Sequence, residues 1–127
     1  MKNLTDYVNE AFSQALEKNG AFWAFGNKQF EEKRAQGVKY ADMGAGLICP
    51  VENCRTLREE MKDITRRGVD MDMSEHSKDE IILRELINQE AFYTCDIEDT
   101  VEALSPYPIA REQILAVYRK ERQKQSV

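Results

Sequence analysis

The feature that most constrains the fold of this chain is a pair of stretches, residues 22–30 and 39–50. The first, FWAFGNKQF, holds the only Trp and three of the five Phe residues of the 127-residue sequence. The second, KYADMGAGLICP, combines apolar residues with two glycines and ends in a proline. Because each aromatic side chain removes about 150–250 Å² from water when it is buried, these stretches are expected to lie at the centre of the core.

The glycine-punctuated stretch predicts a β-hairpin. Two short strands, residues 38–43 and 47–49, flank a Gly-Ala-Gly turn in which glycine supplies positive φ without a steric penalty. Pro50 ends the second strand because it has no N–H for the ladder. The alternative, a phosphate-binding loop, lacks the Gly-x-Gly-x-x-Gly spacing and a following Lys-Ser/Thr pair. Residues 21–25 fit either a buried strand or the entry to a helix, since periodicity does not separate the two.

The rest of the chain predicts about six helices. Their expected ranges are 4–19, 27–36, 51–67, a helix that begins at Ser77, 97–104 and 109–123. The third has an apolar stripe that includes Leu57 and Ile64, and the fourth begins with a capping box formed by Ser77 and Glu80. Residues 69–76, which end in the only histidine, are expected to be a polar loop with a solvated His76.

These elements predict a mostly helical α+β domain, with about six helices packed around one short β-hairpin. The chain is expected to form a single globular domain over residues 1–127, because a chain of this length buries roughly two thirds of its unfolded surface. Residues 118–127 are expected to be a partly frayed tail.

Composition excludes some functional classes. A net charge of −5 and a pI near 5.0 argue against direct nucleic-acid binding, which requires a basic face, and favour a basic partner instead. The basic end of the last helix is the one segment that leaves a contact with nucleic acid or an acidic partner open. No leader-like segment and no membrane-spanning run is found, so a cytoplasmic location in a bacterial host and no membrane partner are expected.

The three cysteines are an odd number at no metal-ligand spacing. Cys49, Cys54 and Cys95 are therefore expected to be reduced thiols, and neither a metal site nor a cofactor is predicted. Which of the three is reactive stays open at this point.

The polar segment after the fourth helix contains the densest candidate site. In a functional interpretation, Glu90 and Asp96 form a carboxylate pair and Tyr93 donates a proton. In the favoured structural interpretation, Asp96 caps a short helix and acidic residues occupy its first turn. With a hairpin carboxylate and the single tryptophan added, the candidate binding residues are Trp23, Asp42, Glu90, Tyr93, Asp96, Glu98 and Asp99.

Three sequence blocks carry a family resemblance: FWAFGNKQFEE, GAGLICP, and NQEAFYTCDIEDTVEAL followed by ILAVY. With them the chain resembles a family of short uncharacterised proteins from phages, prophages and related mobile elements of bacteria, over about residues 21–118. The family pattern has His where Gln89 stands here, which argues against a metal or acid/base role. The resemblance implies a genomic context and no activity.

Three functional hypotheses follow. The first is a small acidic non-enzymatic binding protein that inhibits a host nuclease or defence complex, as anti-CRISPR proteins do, by occupying a basic channel. The second is a small enzyme or ligand-binding domain with a pocket between the hairpin and residues 93–99. The third is a structural or homodimeric accessory protein, which an exposed aromatic block would indicate. Binding is favoured over catalysis because no catalytic motif is present.

Overall fold

The computed structural model describes residues 1–125. Its elements are α1 (Leu4–Lys18), β1 (Phe22–Trp23), α2 (Asn27–Lys33), β2 (Tyr40–Asp42), β3 (Leu47–Pro50), a 3₁₀ turn (Val51–Asn53), α3 (Cys54–Glu75), α4 (Lys78–Asn88), α5 (Ala91–Thr94), α6 (Glu98–Ala103) and α7 (Arg111–Gln125). Seven α-helices and a small antiparallel sheet within this range confirm the predicted mostly helical α+β class.

The contacts of the chain divide into two compact units, each described separately below. The sheet unit comprises Thr5–Thr65, and the helical unit comprises Arg66–Val127 together with Met1–Leu4. The last helix continues to residue 125 and so overlaps most of the predicted frayed tail, while residues 126 and 127 lie outside the described residues.

The sheet has three strands in the order β1-β3-β2. Strands β2 and β3 pair antiparallel with Ala41 opposite Cys49, which confirms the predicted hairpin. Strand β1 pairs antiparallel with the other side of β3, with Phe22 opposite Ile48. The prediction of a lone hairpin was therefore incomplete: residues 22 and 23 form a strand because β3, more than twenty residues later, supplies a hydrogen-bonding partner.

An aromatic cluster joins helix α2 to the sheet. The ring centroids of Phe22 and Tyr40 lie 5.4 Å apart, and those of Phe30 and Tyr40 lie 5.7 Å apart with the rings perpendicular. Helix α2 has Gly26 at its N-cap and no side-chain hydrogen bond there. The helix is positioned by packing of Phe30 rather than by a side-chain cap.

Helix α3 is longer than predicted. It runs without a break from Cys54 through Gly68 to Glu75, so the expected end at residue 67 and the expected loop over residues 69–76 were both wrong. Glycine in a helix interior costs about 1 kcal/mol relative to alanine. Here Val69 and Asp72 continue the buried stripe past the glycine, and that packing outweighs the propensity.

Among residues 1–125, the core of the helical unit consists of nine buried residues: Val69, Ile81, Ile82, Leu86, Ala91, Ile97, Leu104, Tyr107 and Ile114. Helix α4 contributes the fully buried Ile81, Ile82 and Leu86. Ile87, which the sequence places on the same apolar face, is 60% exposed. The apolar face of α4 is thus turned toward Ile81 and away from Ile87.

The predicted capping box at the start of α4 is confirmed. The Ser77 Oγ accepts a hydrogen bond from the Glu80 N–H at 3.1 Å, and the Glu80 carboxylate accepts one from the Ser77 N–H at 2.9 Å. We expect Ser77→Ala to lower the free energy of unfolding by about 0.5–2 kcal/mol, as measured by urea denaturation. The control Ser105→Ala, at an exposed turn residue, should change it by less than about 0.5 kcal/mol. Equal effects of the two substitutions would contradict a capping role.

Candidate functional site

The aromatic pair, Trp23 and Phe25, is the most exposed large apolar feature of the sheet unit. The side chains are 43% and 73% exposed. Their rings lie within 4° of parallel with centroids 6.4 Å apart. Trp23 was among the binding residues predicted from the sequence and Phe25 was not, although both belong to the same aromatic block.

Two side chains of helix α2 and the close approach of Gly46 hold the aromatic pair in place. The carbonyl of Trp23 accepts a hydrogen bond from the Lys33 Nζ at 2.7 Å, and the N–H of Phe25 donates to the Gln29 Oε1 at 2.8 Å. Gly46 lies directly beside the ring, since a Cβ at this position would fall 2.6 Å from the Phe25 Cε1. The two rings are therefore exposed to solvent although the backbone that carries them is already fixed.

Asp42, the hairpin carboxylate of the candidate site, caps its own turn. Its Oδ1 accepts a hydrogen bond from the N–H of Gly44 at 2.8 Å. A hollow of about 380 Å³ opens near the start of the same strand, and its lining includes Val38, Lys39 and Val51. The sequence analysis did not anticipate this hollow.

The remaining candidate residues lie in the helical unit at the junction of α5 and α6. The Asp96 Oδ1 accepts a hydrogen bond from the Glu98 N–H at 2.9 Å, and the Glu98 carboxylate pairs with Arg111. The hydrogen bond from Arg111 lowers the pKa of Glu98. Glu90 has left-handed backbone angles with φ of 55°, and Tyr93 is 89% exposed.

Two of these carboxylates therefore have structural partners, and Asp99 is an exposed acid in the first turn of α6. The chemistry of the junction is that of an acidic surface with a projecting phenol ring. Such a surface attracts cationic groups, since a guanidinium or ammonium group interacts with both carboxylates and an aromatic face.

A buried polar network in the helical unit was missed by the sequence analysis. Asp72 is fully buried, and its carboxylate accepts hydrogen bonds from the Arg84 guanidinium at 3.0 Å and from the Tyr107 hydroxyl. Arg84 also donates to the carbonyl of Lys2 at 2.9 Å. The network thus links α3, α4, the turn before α7 and the N-terminal segment.

The pKa values within the network follow from burial and from these bonds. Burial by itself would raise the pKa of Asp72, but hydrogen bonds from Arg84, Tyr107 and His76 outweigh it and hold the pKa below its ordinary value. Burial, followed by the hydrogen bond to Asp72, raises the pKa of Tyr107. The carboxylate is therefore ionised and the phenol is neutral over the physiological range of pH.

The only histidine belongs to the same network. The His76 Nδ1 lies 3.1 Å from the Asp72 Oδ1, and its side chain is largely buried. The prediction of a solvated histidine in a polar loop was wrong because helix α3 continues to Glu75 and brings His76 one turn above Asp72. The four-residue spacing of the two residues was the sequence signal that could have indicated their contact.

The three free cysteines differ in environment. Burial and the neighbouring Cys54 raise the pKa of Cys49 to about 11. Cys95 is exposed, and its thiol accepts a hydrogen bond from the Arg122 guanidinium at 3.1 Å, which lowers its pKa. The order of reactivity left open by the sequence is thereby predicted from the structure.

We expect iodoacetamide at pH 7 to label Cys95 before Cys49, because the thiolate is the nucleophile and only Cys95 is both exposed and stabilised as thiolate. Arg122→Gln should slow the labelling of Cys95 several-fold, whereas Arg119→Gln on the same helix should not. Peptide mass spectrometry over a time course measures both rates. Faster labelling of Cys49 would contradict the expected order.

Within residues 1–125, no group of three or more His, Cys, Asp and Glu side chains is arranged to hold a metal ion. In the same range, no helix is both long and apolar enough to cross a lipid bilayer.

These features define a mostly helical α+β protein with an exposed aromatic pair and an acidic junction. The chain belongs to the DUF7659 family, a family of unknown function, whose sequence model matches residues 4–124. No curated protein matches the sequence, and no solved structure matches the fold.

Proposed function

We propose that this protein is a non-enzymatic protein-binding module whose principal contact is the aromatic pair, Trp23 and Phe25. The observation that carries the proposal is that both rings are exposed although their backbone is fixed by Lys33 and Gln29. Tryptophan is enriched among the residues that dominate binding energy at protein interfaces. A contact that is already ordered in the free protein loses less entropy on association.

The same hydrogen bonds define how a partner would contact the pair. Lys33 and Gln29 occupy backbone groups on the outer side of β1, which an added strand would otherwise use. Side-chain bonds of this kind protect an edge strand from pairing with another chain. The partner would therefore bind the ring surfaces and would contribute a complementary apolar pocket.

The finer proposal concerns the chemistry of the partner. Residues 70–102 contain eleven of the twenty-three acidic residues of the chain and only two of its eighteen Lys and Arg residues. This charge, together with the exposed Tyr93, supports a basic partner. A nucleic-acid-binding complex, such as a host nuclease or defence complex blocked by a phage-encoded inhibitor, has the required charge, and the resemblance to mobile-element proteins supports that context.

The test begins with capture of partners from a bacterial lysate at low salt by the tagged wild-type protein, followed by mass spectrometry. The captured protein is then purified, and its affinity is measured by calorimetry for the wild type, for Trp23→Ala/Phe25→Ala, and for the control Met71→Ala. Met71 is an exposed apolar residue of α3. Removal of a binding hot spot costs at least about 2 kcal/mol, so the double variant should bind about 30-fold more weakly or worse, and the control should bind like the wild type.

Salt dependence tests the finer proposal separately. Affinity for a basic partner should fall as salt rises, because screening weakens contacts between exposed charges. If the double variant binds as tightly as the wild type, the aromatic pair is not the contact and the proposed function fails. If the double variant loses binding but salt has no effect, the binding function stands and the basic partner is excluded.

A further inference from the structure

The outer side of strand β2 differs from that of β1. The Val51 N–H donates to the carbonyl of Lys39 at 2.9 Å, and the Met43 N–H donates to the carbonyl of Leu47 at 2.7 Å. Backbone groups of an antiparallel strand alternate between the two sides, so Ala41 faces its partner Cys49 in β3. The N–H and C=O groups of the residues on either side of Ala41 therefore point away from the sheet.

These outward groups belong to Tyr40 and Asp42. Over the described part of the chain, their backbone N–H and C=O groups have no hydrogen-bond partner on that side. Edge strands in native proteins are commonly protected by prolines, by charged side chains, by shortness of the strand or by a covering element. Strand β2 is short, but it has no Pro, and the carboxylate of Asp42, its one charged residue, bonds the N–H of Gly44 in its own turn.

We propose that β2 is the dimerisation strand of this protein and pairs antiparallel with β2 of a second copy across a two-fold axis at Ala41. The three-stranded sheets of the two copies then form one six-stranded sheet. This interface lies on β2 and is separate from the aromatic pair on β1, so it does not depend on the proposed function.

The strand is self-complementary in this register. Tyr40 of each copy lies opposite Asp42 of the other, and each of these two pairs exchanges two N–H···O=C hydrogen bonds, as hydrogen-bonded pairs of antiparallel strands do. All outward groups of the strand are then satisfied. Ala41 lies opposite Ala41 at the axis, where side chains approach most closely and two small residues meet without a clash.

Charge and shape support the same register. Like charges that lie directly opposite destabilise a strand pair, and an axis at Asp42 would oppose two carboxylates. An axis at Ala41 instead places Lys39 opposite Met43 of the second copy. Met43 of the second copy then lies next to the hollow of about 380 Å³ whose lining includes Lys39 and Val51, and Val51 is an exposed apolar residue.

The asymmetry between the two edges argues for a closed dimer over a longer assembly. The other edge of the sheet is β1, where side chains of α2 already bond Trp23 and Phe25. The edge at β1 thus has two of its outward backbone groups occupied, whereas those of Tyr40 and Asp42 at the β2 edge are open. An isologous contact that uses this edge on both copies is closed by its own symmetry.

The first test uses the unmodified protein. Sedimentation equilibrium from about 10 µM to about 1 mM should show the mass rising from 14.7 kDa toward twice that value, as mass action requires. Amide exchange by NMR over the same range should slow roughly tenfold or more for Tyr40 and Asp42. The Ala41 amide, already bonded to β3 in the monomer, should show little change.

The second test places charges at the axis. Ala41→Lys and Ala41→Glu should each be monomeric at about 1 mM because like charges then face each other. An equimolar mixture of the two variants should recover the dimer, since opposite charges face each other in the heterodimer. The control Ala35→Lys adds the same charge at an exposed residue outside the strand and should dimerise like the wild type.

Two results overturn the proposal. One is a wild-type protein that stays monomeric at 1 mM with Tyr40 and Asp42 amides in fast exchange at every concentration. The other is a dimer that forms equally well in folded Ala41→Lys, which would place the interface elsewhere. If neither Ala41 variant folds, as judged by circular dichroism, the exchange measurement on the wild type decides alone.

Discussion

Replacing Asp72 with Asn is expected to lower the free energy of unfolding by about 3 kcal/mol, because it removes the fully buried one of the two carboxylates that pair with the Arg84 guanidinium and leaves only Glu85. Arg84 is almost fully buried, and its side chain bonds Asp72 and Tyr107 as well as the backbone of Lys2. Asparagine has nearly the same shape as aspartate, so the loss of stability reflects the missing charge and its hydrogen bonds rather than a change in packing. Small domains have unfolding free energies of about 5–15 kcal/mol, so the effect is a large part of the total.

Urea denaturation followed by circular dichroism measures this loss, and Asp70→Asn is the matched control. Asp70 lies on the same helix two residues earlier and is exposed, so its replacement should change the free energy of unfolding by less than about 0.5 kcal/mol. The double variant Asp72→Asn/Arg84→Met should be more stable than Asp72→Asn alone, because it also removes the buried cation that has lost one of its two carboxylate partners. A single variant as stable as the wild type would mean that the network does not stabilise the helical unit.

The pH dependence of stability provides a second readout of the same carboxylate. The pKa of Asp72 in the folded state lies below its ordinary value of 3.8, so the unfolded chain takes up its proton first as the pH falls. The contribution of Asp72 is therefore fully present above about pH 4 and is lost as the pH falls through the folded pKa. Asp72→Asn lacks this component, so the stability gap between wild type and variant should narrow under acid conditions.

Replacing Leu86 with Ala is expected to lower the free energy of unfolding by about 2–5 kcal/mol. The side chain is fully buried among the core residues of the helical unit. Its truncation removes apolar contacts and leaves a cavity that close-packed neighbours fill only in part. The neighbouring substitution Ile87→Ala removes a side chain that is mostly exposed and should change the free energy of unfolding by less than about 0.5 kcal/mol.

Denaturation curves of Leu86→Ala and Ile87→Ala, compared side by side, test which face of helix α4 is buried. Leu86 and Ile87 are adjacent apolar residues, and the structure orients the helix so that Leu86 and Ile81 are buried and Ile87 is not. A loss of several kcal/mol in both variants would contradict the observed orientation. Ile81→Ala, at a fully buried residue, should resemble Leu86→Ala.

Structural features that depend only on residues close together in the sequence could be predicted from the sequence. The capping box of Ser77 and Glu80 needs only a three-residue spacing. The hairpin between β2 and β3 needs only glycines between two apolar runs. Local spacing was less exact at the candidate site: the N-cap of α6 is Ile97, so the prediction that Asp96 caps this helix was wrong by one residue, although the Asp96 carboxylate does accept a hydrogen bond from the N–H of Glu98 beside it.

Features that depend on distant partners could not be predicted in this way. The strand at residues 22–23 exists because β3 pairs with it, and an apolar run that short has no helical or strand signature of its own. The continuation of α3 through Gly68 depends on burial of Val69 and Asp72. Arg84 and Tyr107 both bond Asp72, from positions 12 and 35 residues further along the chain. No local sequence pattern indicates contacts over such separations.

The sequence by itself thus determined the mostly helical α+β class, the hairpin and the acidic character of the chain, because these follow from local backbone preferences and from composition. Tertiary structure alone decided which faces are buried. It buried Asp72 with Arg84, left the aromatic pair exposed, and occupied backbone groups at one edge of the sheet while leaving those at the other edge open. The physical reason is that burial and hydrogen bonding depend on which groups come into contact when the chain packs. Many of these groups lie far apart along the sequence.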